Sequence, residues 1–201
     1  MCIRDRYKSG KAEASVMTDA SPLGIGAVLL VNGRVTKALA SPINEMDAKL
    51  LGFQLGESSS QGIAETLAIL VALKHWGKLL AAVNVAIGVQ SDSVTALALT
   101  QKFSNSNASL NFLGAELAVV CEALGLSDLL PTHLPGVANK EADFLSRPNT
   151  WATTTLPVAL EGISIETPQE RSAAWYRLNP PGPDTADWQD GEALVAAWAC
   201  R

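Results

Sequence analysis

The chain has 201 residues, 48% of them hydrophobic and 17% charged, a balance that builds a globular core and excludes an intrinsically disordered chain. Its formal net charge of -5 is the wrong sign for holding nucleic acid by bulk electrostatics. No apolar stretch approaches the roughly 20 residues that span a bilayer, and the N-terminus lacks the basic-then-apolar build of a signal peptide, so a soluble, intracellular protein without a membrane partner is expected.

Residues 1–13 show no periodicity and read as an unstructured leader. From Ser15 the pattern becomes strand-like, breaks at Ser21-Pro22-Leu23-Gly24, and resumes over 25–31 and 34–40 around Asn32-Gly33. Asn-Gly between two apolar runs is a strong hairpin signal, because both residues tolerate the positive φ of a type I′ turn. Three antiparallel strands are therefore expected to open the domain. Residues 41–60 read as irregular, with Glu45, Asp47 and Glu57 in a solvated loop and Ser58-Ser59-Ser60 offering capping hydroxyls. A long helix is expected over 63–80, with Leu67, Leu70 and Leu73 in one row and Glu65, Ile69, Ala72 and Trp76 in the next. His75 beside Trp76 reads as a surface residue next to a core one.

A short strand over 83–90 is followed by the junction Ser91-Asp92-Ser93 and a helix over 94–101. A polar loop at 104–107 precedes an amphipathic helix over 110–124, stopped at Gly125. A last strand is expected over 129–134, and Asn139 is placed to cap a short helix ending before Pro148. The order βββ-α-β-α-α-β-α predicts a five-stranded mixed α/β sheet, three antiparallel strands then parallel ones, flanked by helices, in a domain over 14–148. Residues 149–201 read as an acidic, Trp- and Pro-containing extension, partly disordered, with a break at Pro180–Pro183 and a weak final helix near 191–199. From residue 151 it holds three basic against seven acidic residues, so most of the charge deficit lies there. Its tryptophans read as a satellite cluster packed on the domain. Cys2, Cys121 and Cys200 are in no ligand spacing; Cys121 reads as a buried apolar residue.

Four acids interrupt runs that otherwise read as core: Asp19, Glu65, Asp92 and Asp143. Each by itself reads as a turn, cap or helix-dipole residue. Together, at the ends of strands one and four and on the inner faces of two covering helices, they predict a divalent-metal site, because converging acids offset their desolvation by sharing cations. Strand ends of open α/β sheets are where such chemistry sits.

The segments Thr18-Asp19-Ala20-Ser21 with Gly24-Ile25-Gly26-Ala27-Val28-Leu29, Glu65-Thr66-Leu67-Ala68, Ser91-Asp92-Ser93, and the run from His133 to Arg147 resemble the ribonuclease H domain of retroelement reverse transcriptases. The likeness is to the gypsy-like LTR and tyrosine-recombinase types. It covers about 14–148 and implies a ribonuclease H-like fold and hydrolysis of the RNA strand of RNA–DNA hybrids. It also implies two Mg²⁺ ions, with Mn²⁺ as a substitute, held by Asp19, Glu65, Asp92 and Asp143. Asp19 bridges both ions in that scheme. Ser21, Gln61, Ser93 and Asn139 are the expected substrate contacts, an upstream polymerase domain the expected partner, and the cytoplasm, nucleus or a retroelement particle the expected location.

Two departures from that pattern bear on activity. Val137 stands where many cellular relatives place a mobile histidine, His133 being a strand residue and not its equivalent. The loop at 104–107 also lacks a basic grip on the hybrid, with Lys102 its nearest cation. Weak independent substrate binding follows. A degenerate domain serving as a tether is the alternative. An actin-like ATPase lacks its glycine-rich motifs here, and an integrase core ends its triad with Glu.

Overall fold

The computed structural model describes residues 14–178, apart from 84, 85 and 127. The leader, the Pro180–Pro183 break, the final helix, Trp188, Trp198, Cys2 and Cys200 lie outside the described residues. Strands β1 (Ala14–Ser21), β2 (Gly24–Val31) and β3 (Arg34–Pro42) form an antiparallel meander, followed by α1 (Glu45–Leu51) and α2 (Gln61–Val83). Then come β4 (Ile87–Ser91), α3 (Val94–Lys102), α4 (Ala108–Leu124), β5 (Leu129–His133), α5 (Lys140–Ser146) and β6 (Ile165–Glu166). The sheet order is β5-β4-β1-β2-β3-β6, with β4 and β5 parallel to β1 and β6 parallel to β3. The expected mixed sheet is present, with one strand more than the five expected.

The β2–β3 turn is the one its sequence demands: Asn32 and Gly33 both have positive φ, 52° and 73°. Helix α3 starts at Ser93, whose hydroxyl accepts from the Ala96 amide, and α4 ends at Gly125 in the left-handed region. Pro131 sits in β5, an edge strand, where its missing N–H costs no central ladder bond.

Side chains alternate across the sheet and feed two cores. One lies between the sheet and α2, α3 and α4, around Val16, Leu67, Leu70, Leu73, Trp76 and Leu113. The other lies between the sheet and α5, around Met17, Val28, Ala142 and Leu145. Helix α2 is buried along most of its length, and each large side chain it hides contributes roughly 1.5–3 kcal/mol.

The 41–60 segment departs from its expected irregularity. Asn44 and Asp47 form a reciprocal capping box that starts α1, and Ser58–Ser60 is a turn of 3-10 helix. The Ser60 hydroxyl donates to the Gln54 carbonyl instead of capping α2. Asp47 is fully buried, not solvated, because Arg171 reaches both of its oxygens at 2.8 Å. The same guanidinium donates to Ser41 Oγ and the Pro42 carbonyl.

Residues beyond 148 continue the packing. Trp151 stacks on Phe144, Tyr176 meets Phe112 edge-on, and Lys74 lies 3.7 Å over the Trp175 ring. On β6, Glu166 accepts from Lys37, Trp76 Nε1 and a His75 ring nitrogen. His75 is thus half-buried against the extension and not a plain surface residue, whereas Trp76 is core at 1% exposure. No helix among the described residues is long and apolar enough to cross a membrane.

Candidate active site at the carboxyl edge of β1 and β4

Parallel pairing of β1 with β4 matches Met17 to Gln90, so two further residues bring Asp19 beside Asp92, just past the end of β4. Helix α2 crosses one face and presents Glu65 in its second turn. Asp19, Glu65 and Asp92 each offer a carboxylate oxygen within 4.8 Å of the others. Among the described residues these three form one group.

Helix α5 covers the opposite face. It approaches β2 closely because that strand has no side chains there: a Cβ on Gly24 would lie 2.3 Å from the Ser146 carbonyl, and one on Gly26 2.1 Å from the Ala142 carbonyl. Gly26 is the register partner of Asp19, so this contact brings α5 to the acid. Ser146 Oγ then donates to Asp19 Oδ2 at 2.6 Å, and buried Asn139 Nδ2 donates to the Thr18 carbonyl at 2.9 Å and to Asp19 Oδ1 at 3.5 Å. Asn139 occupies the cap position of α5 without making the expected capping bond; its amide turns inward to β1 instead.

Glu65 Oε1 accepts from the Ala20 amide at 3.2 Å and from Gln61 Nε2 at 2.8 Å. Its Oε2 is buried and has no hydrogen-bond partner. Burial is the main cause of Glu65's shift to a pKa of about 8, with the Asp19 and Asp92 charges adding to it against the Gln61 and Ala20 bonds. Burial likewise raises Asp19 to about 6, opposed by the Ser146 bond and assisted by the charges of Asp143 and Asp92. Two buried acids that resist ionisation, one with an orphaned oxygen, suit a hard divalent cation bound through oxygen. The donor set fits such an ion.

Asp143 lies on α5 near Asp19 but outside the group of three. Its Oδ1 is held by Arg147 Nε and Nη2, both at 2.7 Å. The described bonds of the expected substrate contacts are internal: Ser21 Oγ donates to the Ser146 carbonyl, Ser93 caps α3, Gln61 holds Glu65 and the Ala20 carbonyl, and Asn139 holds β1. Exposed Val137 sits on the 3-10 turn Gly136–Ala138, beside the site, since a Cβ on Gly136 would lie 3.1 Å from Asp92 Oδ2. His133, at the exposed end of β5, pairs in register with Ser91.

Ser146, Arg147, Gly24 and Gly26 lie within the motifs that carry the family resemblance, but no role at the site is expected for them from the sequence. The spacing carries a signal for the first two: Asn139, Asp143 and Ser146 fall at i, i+4 and i+7 on one helical face, and Arg147 is i+4 from Asp143.

No known family model matches the sequence, and no curated protein is similar to it. The fold is similar to LC11-RNase H1 crystallised in complex with an RNA/DNA hybrid, with a TM-score of 0.54 and 20% identity over 66% of this chain and 93% of that one. A further structure of LC11-RNase H1, isolated from compost by a metagenomic approach, aligns with a TM-score of 0.52 and 20% identity over 66% and 91%. The chain has a ribonuclease H-like fold. In that ribonuclease H-like frame, Asp19 and Asp92 take the strand ends and Glu65 the covering helix, an arrangement able to hold a divalent cation at the sheet edge.

Proposed function

We propose that the chain is a metal-dependent endonuclease that hydrolyses the RNA strand of RNA–DNA hybrids during reverse transcription of a retroelement. The observation that carries this reading is the convergence of Asp19, Glu65 and Asp92 at the β1–β4 edge of a ribonuclease H-like fold. The motif that runs from His133 to Arg147 supports the retroelement assignment, and the hybrid bound to LC11-RNase H1 supports the substrate.

Asp19, Glu65, Asp92 and Asp143 would hold two Mg²⁺ ions. Such a pair, when bound, activates a water for attack on phosphorus and stabilises the departing 3′ oxygen. The chain's own work is positional. Ser146 and Asn139 fix the Asp19 carboxylate from α5, while Gln61 and the Ala20 amide fix one Glu65 oxygen and leave the other available. Gly136 spares Asp92 a side chain, since a Cβ there would lie 3.1 Å from its Oδ2. The hybrid would be distinguished by 2′-hydroxyl contacts along one strand and backbone shape along the other. With the loop at 104–107 uncharged and the site acidic, an upstream polymerase domain would supply most of the grip.

The test is cleavage of a labelled RNA–DNA hybrid in Mg²⁺, by the chain alone and fused to a polymerase domain, with Ca²⁺ as the non-productive control. RNA-strand products that disappear in Asp19→Asn and Asp92→Asn are expected. Cleavage surviving either substitution overturns the site. The tether reading draws on the Asp143–Arg147 pair, which occupies the fourth acid, and would be established if even the fused wild type bound hybrid without cutting it.

A further inference from the structure

Asp143 is treated differently from the three acids it resembles. It shares a helical face with Asn139 and Ser146, both bonded to Asp19, so its backbone is fixed over that acid. Its carboxylate is nevertheless turned one step along α5, onto Arg147. The two side chains are 44% and 50% exposed, so neither is trapped by packing. Both act on Asp19 through space with opposite signs, Asp143 raising its pKa and Arg147 lowering it. A cation therefore already stands at the open side of the cluster, and it is one the protein supplies.

We propose that Arg147 is a positioning residue that takes the place of a divalent cation at Asp143: an ion binds there only by displacing the guanidinium, which is then free to take a phosphate of the incoming strand. This rests on the reading of the cluster as a metal site. The chemistry favours the exchange in that order. An exposed ion pair holds weakly, whereas a divalent ion at Asp143 would also gain from the buried Asp19 carboxylate that senses both side chains. A released guanidinium matches phosphate geometry with two parallel donors, and it would lie at the rim of an edge otherwise lined with acids. Metal and polyanion would then bind cooperatively, because each removes a partner that the other must otherwise displace.

The experiment uses the full chain and Mn²⁺ as the probe, titrated by calorimetry and by water-proton relaxation, for wild type, Arg147→Ala, Arg147→Lys, Asp143→Asn and Asp143→Asn with Arg147→Ala. The expected result is two classes of Mn²⁺ site in wild type. The weaker is tightened by up to about fivefold in Arg147→Ala, the ceiling set by an exposed pair, and is lost in Asp143→Asn whether or not Arg147 is present. Hybrid affinity measured in Ca²⁺ should fall in Arg147→Ala and be only partly restored by Arg147→Lys, which keeps the charge but not the paired donors, with little change between the variants in EDTA. An unchanged or weakened Mn²⁺ site in Arg147→Ala overturns the displacement, and an unchanged hybrid affinity in Ca²⁺ overturns the phosphate role. Failure of wild type to bind Mn²⁺ at all would instead remove the metal reading beneath it.

Discussion

The acids at the β1–β4 edge and two acids tied to the C-terminal segment, buried Asp47 and partly buried Glu166, are treated in opposite ways. Asp47 is enclosed by one guanidinium that satisfies both oxygens, and Glu166 takes bonds from Lys37, Trp76 and His75. Burial alone would raise the Glu166 pKa, but those bonds, led by the one from Lys37, bring it down to about 2. Asp19 and Glu65 receive only hydroxyl, amide and backbone donors, and both are held above the ordinary carboxylate range. Acids neutralised from within the chain are structural. Acids buried together with no basic side chain bonded to them, as Asp19 and Glu65 are, suit a cation from outside.

The largest break in this contrast should come from Arg171→Ala. It leaves Asp47 buried and uncompensated, and should lower stability by about 3–5 kcal/mol, read from urea midpoints. Glu65→Gln should do the reverse in metal-free protein at pH 7, raising stability by about 1–3 kcal/mol because folding no longer requires an ionised side chain to take up a proton. On the proposed metal reading, Mg²⁺ should stabilise wild type and fail to stabilise that variant.

Proton linkage sharpens the same comparison. The pKa of Glu65 is raised from 4.5 to about 8 on folding, so its contribution is fully present below about pH 4.5 and is lost as pH rises through 8. Glu166 is depressed from 4.5 to about 2, so its contribution is present above 4.5 and is lost as pH falls toward 2. Stability measured from pH 2 to 9 in EDTA should therefore decline less steeply between pH 4.5 and 8 in Glu65→Gln, where raised Asp19 still contributes up to about pH 6, and less steeply between pH 4.5 and 2 in Glu166→Gln. A variant whose slope in its window equalled that of wild type would break the assignment. The smallest effect belongs to Arg147→Ala, an exposed pair whose removal should change metal-free stability by less than about 1 kcal/mol.

Local signals in the sequence were enough for the hairpin at Asn32-Gly33, the long helix bearing Glu65, and the two strand-end aspartates, because turn chemistry and apolar periodicity decide those elements within a few residues. They were not enough for α1, which at seven residues is too short to show a period, although Asn44 and Asp47 spell its capping box. Asp47 read as solvated because the residue that buries it lies 124 positions away. A comparable separation hid β6, two residues long and paired with β3 from far along the chain. At the site, the acids were legible and their supports were not: Asn139 looked like a helix cap, and its inward turn to the Thr18 carbonyl follows from how closely α5 sits against the sheet.

That closeness sets how the site can drift over time. The gap between α5 and β2 is gauged by backbone atoms meeting across Gly24 and Gly26, and backbone has no rotamers to repack. Large side chains elsewhere in both cores can be exchanged for others of similar volume while this gauge, and with it the spacing between Asp19 and Ser146, stays put. One added methyl group at position 26 would open the gauge under the acidic edge itself. The chain's tolerance of mutation should therefore be inverted relative to its chemistry, with two residues that carry no side chain among the least replaceable in the molecule.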